Sequence, residues 1–206
     1  MSKPLFLPII DNGMGLSRTS WAICMLAAFS GRAFTAASIS YPYPDGAMNL
    51  ATSYFLESDC NEMLVVDTDV VFSRQHIDWL LSHDEPLVFG LYPKKQPGLI
   101  YPAEYLESNP EPFSGESDLC EVKRTARGFM RVHRSVFEAM KPHVPEYLCA
   151  QTSREAHAFW RVLPGGHSED FAFCDLWRSL GGKILIDRRC VTQHEGSALY
   201  PIPGTF

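Results

Sequence analysis

The stretch Glu62-Met63-Leu64-Val65-Val66-Asp67-Thr68-Asp69-Val70-Val71-Phe72 decides the reading of this chain. Its opening residues form a short, almost continuously apolar run, the pattern of a central strand covered on both faces of a sheet. Such a strand needs helices on either side. The remaining sequence is therefore expected to alternate strand with helix around a mainly parallel sheet.

Working outward, the alternation holds. Leu5 to Ile10 predicts an opening buried strand and Asp11-Asn12-Gly13-Met14-Gly15 a turn, because Asn and Gly tolerate left-handed backbone. Trp21, Met25, Ala28 and Phe29 recur at helical spacing behind Ser17, Thr19 and Ser20, all good caps. Phe34 to Tyr41 reads as a strand, Pro42 to Gly46 as a loop and Met48 to Leu56 as a helix. After the central run, Ser73 caps a helix through Leu81, and Leu87 to Leu91 forms another buried strand. The proline-rich stretch from Gln96 to Asp118 predicts a long surface excursion. Strands near Leu119 to Thr125 and Phe129 to Val132 flank Arg127-Gly128, and Ser135 caps a helix. An irregular stretch from Pro142 to Gly166, a helix from Ser168 to Leu180 and a strand from Lys183 to Ile186 complete the pattern. The expectation is one α/β domain over residues 1–206, Rossmann-like, with helices flanking the sheet and a small antiparallel excursion.

A chain of 206 residues is long enough for one domain with a full core, and 46% hydrophobic with 20% charged residues excludes a disordered chain. The net charge of −6 and pI near 5.6 argue against nucleic-acid binding spread over the whole surface, leaving room only for a local basic patch. No apolar run approaches the roughly 18 to 20 residues of a membrane span. The start, MSKPLFLPII, lacks the pattern of a cleavable signal peptide, so a cytoplasmic protein without a membrane partner is expected. Six cysteines, at 24, 60, 120, 149, 174 and 190, form no C-x-x-C pair and read as reduced thiols.

Four segments carry candidate chemistry. Asp67 and Asp69 stand just past a buried strand, where ligands of open α/β sheets collect, and can reach one hard cation such as magnesium or manganese. The same residues also suit a turn or a helix cap. Glu169 and Asp170 follow Gly165-Gly166-His167-Ser168 at a helix start, where they either complement the helix dipole or serve as a general base. His194, beside Glu195-Gly196, is a metal ligand, a proton carrier or a surface imidazole. Lys123, Arg124, Arg127, Arg131, His133 and Arg134 crowd around Gly128, either as a phosphate-binding patch or as a solvated strand face.

In this order the segments resemble the nucleotide-sugar glycosyltransferases of GT-A fold, and more closely their short, single-domain bacteriophage members. The resemblance rests on Phe55-Leu56-Glu57-Ser58, the run Leu64 to Phe72, Gly90-Leu91-Tyr92-Pro93-Lys94-Lys95, Arg127-Gly128-Phe129-Met130, Ser168-Glu169-Asp170-Phe171-Ala172-Phe173-Cys174 and His194-Glu195-Gly196. It implies a manganese or magnesium ion on Asp67, Asp69 and His194, bridging the diphosphate of a donor such as a UDP-sugar. It implies Asp170, with Glu169 beside it, as the base that activates the acceptor. Asp11, Asn49, Asp67, Arg127 and Gly128 become donor-binding candidates, although Met48 stands where relatives carry Arg before Asn. Because some phage members glycosylate hydroxymethylated pyrimidines, the expected acceptor is a 5-hydroxymethylcytosine-like base in DNA, held through the basic segment. Two rivals remain. Asp67-Thr68-Asp69-Val70-Val71 also fits the D-x-D-x-[TV] signature of haloacid-dehalogenase-like phosphatases, with Asp67 as nucleophile, and a noncatalytic nucleotide-sugar or DNA-binding module would keep the same motifs.

Overall fold

The computed structural model describes residues 4–11, 24–25, 28–108, 117–150, 152–165, 167–196 and 199–200. Its centre is a seven-stranded sheet. The strands are β1 (Leu5–Asp11), β2 (Phe34–Ser40), β3 (Glu62–Val66), β5 (Leu87–Leu91), β7 (Leu119–Val122), β9 (Phe129–His133) and β12 (Ile184–Val191), in the order β2-β1-β3-β9-β5-β12-β7. Strands β2, β1, β3, β5 and β12 run one way, whereas β9 and β7 run the other. The fold is thus the expected α/β class with a mostly parallel sheet.

Alternation within β3 shows why the sheet is covered twice. Met63 and Val65 enter one apolar cluster with Phe55, Phe137 and Phe173, and Leu64 and Val66 enter another with Phe29, Ile77 and Leu80. Successive side chains of a strand point to opposite faces, so an uninterrupted apolar run serves two cores at once. The first core is roofed by α1 (Pro44–Glu57), α3 (Arg134–Met140) and α4 (Glu169–Ser179), the second by α2 (Arg74–Leu81) and helical backbone at Cys24, Met25, Ala28 and Phe29. Among the described residues no helix is long and apolar enough to cross a membrane. None of the six cysteines is in a disulfide.

Several local expectations need correction. Helix α1 begins at Pro44, inside the predicted loop 42–46, because proline's fixed φ suits the first helical turn. Helix α3 is capped by His133, whose Nδ1 accepts from Ser135 N at 3.2 Å, rather than by Ser135. The stretch 142–166 contains an antiparallel hairpin, β10 (Glu146–Cys149) with β11 (Arg154–His157). The last sheet strand reaches Val191, well beyond Ile186. In the excursion 96–118, of which 109–116 lie outside the described residues, β6 (Ala103–Glu104) pairs with β8 (Arg124–Thr125). The antiparallel part is also not peripheral, since β9 is inserted between β3 and β5 in the middle of the sheet. The predicted turn 12–15 lies outside the described residues.

The basic segment proves to be internal cement. Arg134 donates to the carbonyls of Phe55, Leu56, Ser58 and Cys60 at 2.6 to 3.0 Å, gathering the carbonyls at and just beyond the end of α1. Arg131, buried in the sheet, donates to the carbonyls of Leu80, His83 and Glu85 and pairs with Glu62. Arg124 holds Asp175 bidentately and Glu104 singly. The solvated or DNA-facing strand anticipated for residues 123–134 is therefore not formed by these guanidinium groups. Replacing Arg134 by Met is expected to lower stability by about 2 to 4 kcal/mol, because several carbonyls lose a charged donor at once. Urea unfolding of the variant beside the parent measures this directly.

Candidate functional site

The acidic loop is fixed before any side chain acts. Asp67 N donates to Gly128 O at 2.8 Å, and Val70 N donates back to Asp67 O at 3.0 Å, folding residues 67–70 into a tight turn. The strand pair Val66 with Phe129 sets Gly128 beside Asp67, so the antiparallel insertion of β9 is what delivers Arg127 to the site. β4 (Val70–Val71) then pairs antiparallel with β13 (Gln193–Glu195), His194 opposite Val70, and Glu195 N donates to Asp69 O at 2.7 Å. Helix α4 arrives from the other side, capped by Ser168, whose Oγ accepts from Phe171 N. Its first turn presents Glu169 and Asp170.

These elements close around a cleft of about 320 Å³, lined by Asp67, Thr68, Asp69, Lys95, Arg127, Glu169 and Asp170 together with Ile10, Tyr41, Pro44, Ala47 and Val66. It opens beyond the carboxyl ends of β1 and β3, where ligands of open α/β sheets bind. Arg127 is its hub. Nη1 donates to Asp67 Oδ1 at 2.8 Å, Nε is 3.3 Å from Asp170 Oδ1, and Nη2 is 3.8 Å from Glu169 Oε1. Burial works against the guanidinium's charge, but Asp67, Asp170 and Glu169 outweigh it and hold the group firmly protonated. Gly128 is required by close approach: a Cβ there would meet Tyr92 Oη at 2.6 Å and Asp67 Oδ2 at 2.8 Å. Tyr92 Oη in turn accepts from Gly128 N at 3.3 Å.

Asp170 is the unusual acid. Burial is the main cause that pushes its carboxyl up to about 7, the charges of Glu169 and Asp67 add to it, and Arg127 only partly opposes. Its Oδ1 is closed off from solvent and has no hydrogen-bond partner among the described residues, since the nearby Arg127 Nε lacks the alignment for one. Oδ1 thus faces Arg127 rather than the cleft, and a carboxyl raised toward neutrality at the cleft wall can exchange a proton with a bound hydroxyl only through its other oxygen.

Asp69 lies at the opposite extreme. Burial would raise its carboxyl, yet hydrogen bonds from His194 and Lys95 hold it down at about 2. Lys95 Nζ is 2.5 Å and His194 Nε2 3.3 Å from the same oxygen, Oδ2. His194 Nδ1 lies 2.9 Å from the Pro93 carbonyl, which can only accept, so Nδ1 carries a proton and Nε2 is the nitrogen turned to Asp69. Two neighbouring ligands of an octahedral ion bound at about 2.1 Å stand about 3 Å apart. The Asp69 and His194 pair fits that spacing, with its imidazole oriented by a carbonyl from outside. Asp67 does not join them, because Arg127 holds its Oδ1, and among the described residues no three His, Cys, Asp or Glu side chains converge as a metal's ligands. Of the expected set, Asp69 and His194 stand together and Asp67 is turned to Arg127.

Of the other donor-binding candidates, Asn49 is buried and clamps Trp160 reciprocally, Nδ2 donating to Trp160 O at 2.8 Å and Oδ1 accepting from Trp160 N at 2.9 Å. It lines the neighbouring cavity rather than the cleft of Asp67 and Asp69. Asp11 ends β1, and its side chain lies outside the described residues. Conversely, Lys95 and Tyr41 are site residues to which the sequence pattern assigns no role. The signal for Lys95 is its place two residues after a strand-ending Tyr92-Pro93, but only the pairing with Asp69 reveals what it does.

No known protein family matches the chain, and no curated protein matches it. Among solved structures it is similar to A197 from STIV, with a TM-score of 0.59 and 18% identity over 94% of this chain and 86% of that one. At such identity the likeness concerns the fold alone.

The Asp170 carboxyl makes stability depend on pH in a defined sense. Its ordinary value is 3.8 and its folded value about 7, so between them the folded chain binds a proton that the unfolded chain has released. The stabilisation is complete below the lower value and is lost as pH rises through the upper one, by at most about 1.4 kcal/mol per pH unit. Asp170→Asn removes this group's contribution. Urea unfolding of parent and variant is expected to show the parent losing ground as pH rises from about 4 to about 7; parallel profiles would refute the assignment.

Proposed function

We propose that the chain is a glycosyltransferase that moves a sugar from a nucleotide-sugar donor to an acceptor hydroxyl, with Asp170 as base. The observation that carries this reading is the meeting, in one cleft, of an acidic turn whose Asp69 is paired with Lys95 and His194 and of the Asp170 carboxyl, raised toward neutrality. The first suits an activated diphosphate and its counterion, the second a nucleophilic hydroxyl.

In this reaction the acceptor oxygen attacks the anomeric carbon while its proton passes to Asp170. The bond from that carbon to the β-phosphate oxygen breaks, and its electron pair leaves on the nucleotide diphosphate. Asp69 and His194 would hold a divalent cation, which supplies neutralisation of the charge growing on the leaving diphosphate. Lys95, on the same carboxylate oxygen, is placed to turn toward phosphate oxygens when Asp69 engages a cation. Arg127 keeps Asp67 and the start of α4 in register, so the base and the acidic turn face the same space. Direct displacement of this kind inverts the anomeric configuration. The DNA acceptor loses the support of the basic segment, whose arginines are committed within the protein.

Calorimetric titration with UDP-sugars and manganese, followed by product analysis, tests the reading. Asp69→Ala is expected to abolish cation-dependent donor binding, whereas Asp170→Asn keeps donor binding and lowers transfer by about 10² to 10⁴-fold, the usual worth of a general base. Full turnover in Asp170→Asn would remove the base. Hydrolysis of generic phosphoesters, lost in Asp67→Asn, would instead establish the phosphatase alternative.

A further inference from the structure

A second cavity, of about 730 Å³, adjoins the first and shares Tyr41, Pro44 and Glu169 with it. It is the larger and the more aromatic of the two. Its rim carries Tyr43 and Val162, 67% and 63% exposed, its walls include the half-buried Tyr41 and Tyr147, and the buried Trp160 backs them from behind. Tyr41 is set by close contact, because a Cβ on Gly46 would fall 2.2 Å from its ring. Trp160 is fixed by the Asn49 clamp, by its own Nε1 donating to Thr52 Oγ1 at 3.1 Å, and by stacking on Phe173 of α4 at 4.0 Å. The wall is thus built on the same helix that presents Asp170.

The chemistry of this lining is selective. Flat aromatic faces with phenol hydroxyls at their edges offer apolar contact to the C–H face of a ring and hydrogen bonds to its substituents. The charged residues lining it are Asp45, Glu169 and Arg161, which sum to −1 and form no cationic track. Such a surface offers a polyanion no row of cationic anchors at the point where the transferred group must be met. We infer that this cavity is the acceptor subsite and that it takes an uncharged sugar ring, such as the terminal unit of a glycan, rather than nucleic acid. The inference rests on the transferase reading and adds the class of its acceptor. A ring lying on Tyr43 and Tyr41 enters the cleft past Glu169, one residue from the base.

Saturation-transfer NMR on the full chain tests it, with cellobiose, maltose and lactose as neutral probes and oligothymidylate as the polyanion. The saccharides are expected to receive saturation from the protein, to lose it in Tyr43→Ala, and to keep it in Leu148→Ala, an equally exposed apolar change outside both cavities. Tyr43 is the residue before α1 and makes no side-chain cap, so its truncation leaves the helix start intact. Absence of transfer to all three saccharides, transfer that survives Tyr43→Ala, or oligothymidylate binding that Tyr43→Ala removes would each overturn the proposal. Donor titration separates the two readings: donor turnover without saccharide binding sinks only the acceptor class, and saccharide binding without turnover of any donor sinks only the transferase.

Discussion

One buried guanidinium joins the pieces on which this site depends. Arg127 stands on the turn between β8 and β9 and faces Asp67 from the acidic turn and Glu169 and Asp170 from α4. Burying a cation of this size is costly unless it is surrounded by opposite charge, and crowding three partly exposed carboxylates together is costly without a cation between them. Each party makes the other tolerable. The balance is not complete, and the excess of negative charge together with desolvation appears as the raised Asp170 carboxyl. The arrangement that makes the buried Arg127 tolerable is thus also the one that raises the Asp170 carboxyl.

Much of this is legible in the sequence, for identifiable reasons. The run Glu62 to Val66 announces a doubly covered strand, because apolar character without period 2 over so short a stretch fits little else. Ser168-Glu169-Asp170 announces a helix start because a cap followed by carboxylates matches the helix's unpaired amides. Asp69 and His194 both stand out, 125 positions apart, and the pairing of Val70 with His194 brings them together. What escapes is pairing itself. Nothing local in Phe129 to His133 says that this strand enters the sheet between two others and runs against them. Asn49 and Trp160 look ordinary until a long-range clamp joins them.

The basic segment is instructive. Arginine is well matched to phosphate, and six basic side chains in twelve positions invite that reading. The same planar fork is equally matched to carbonyls at a helix end and to carboxylates across a sheet. Arg131 and Arg134 take the first kind of partner and Arg124 the second. Local charge density thus measures how much internal polarity needs satisfying, not the sign of a partner. The surviving basic groups near the cleft, Lys95 and Arg127, sit on carboxylates as well.

Gly46 bears on how such a site can change over time. The ring of Tyr41 rests on bare backbone where even a methyl would collide, so this boundary between the two cavities is shaped by the path of the main chain. Exchange of Tyr43 or Val162 can therefore reshape the outer rim while the threshold behind it keeps the form that the main chain gives it.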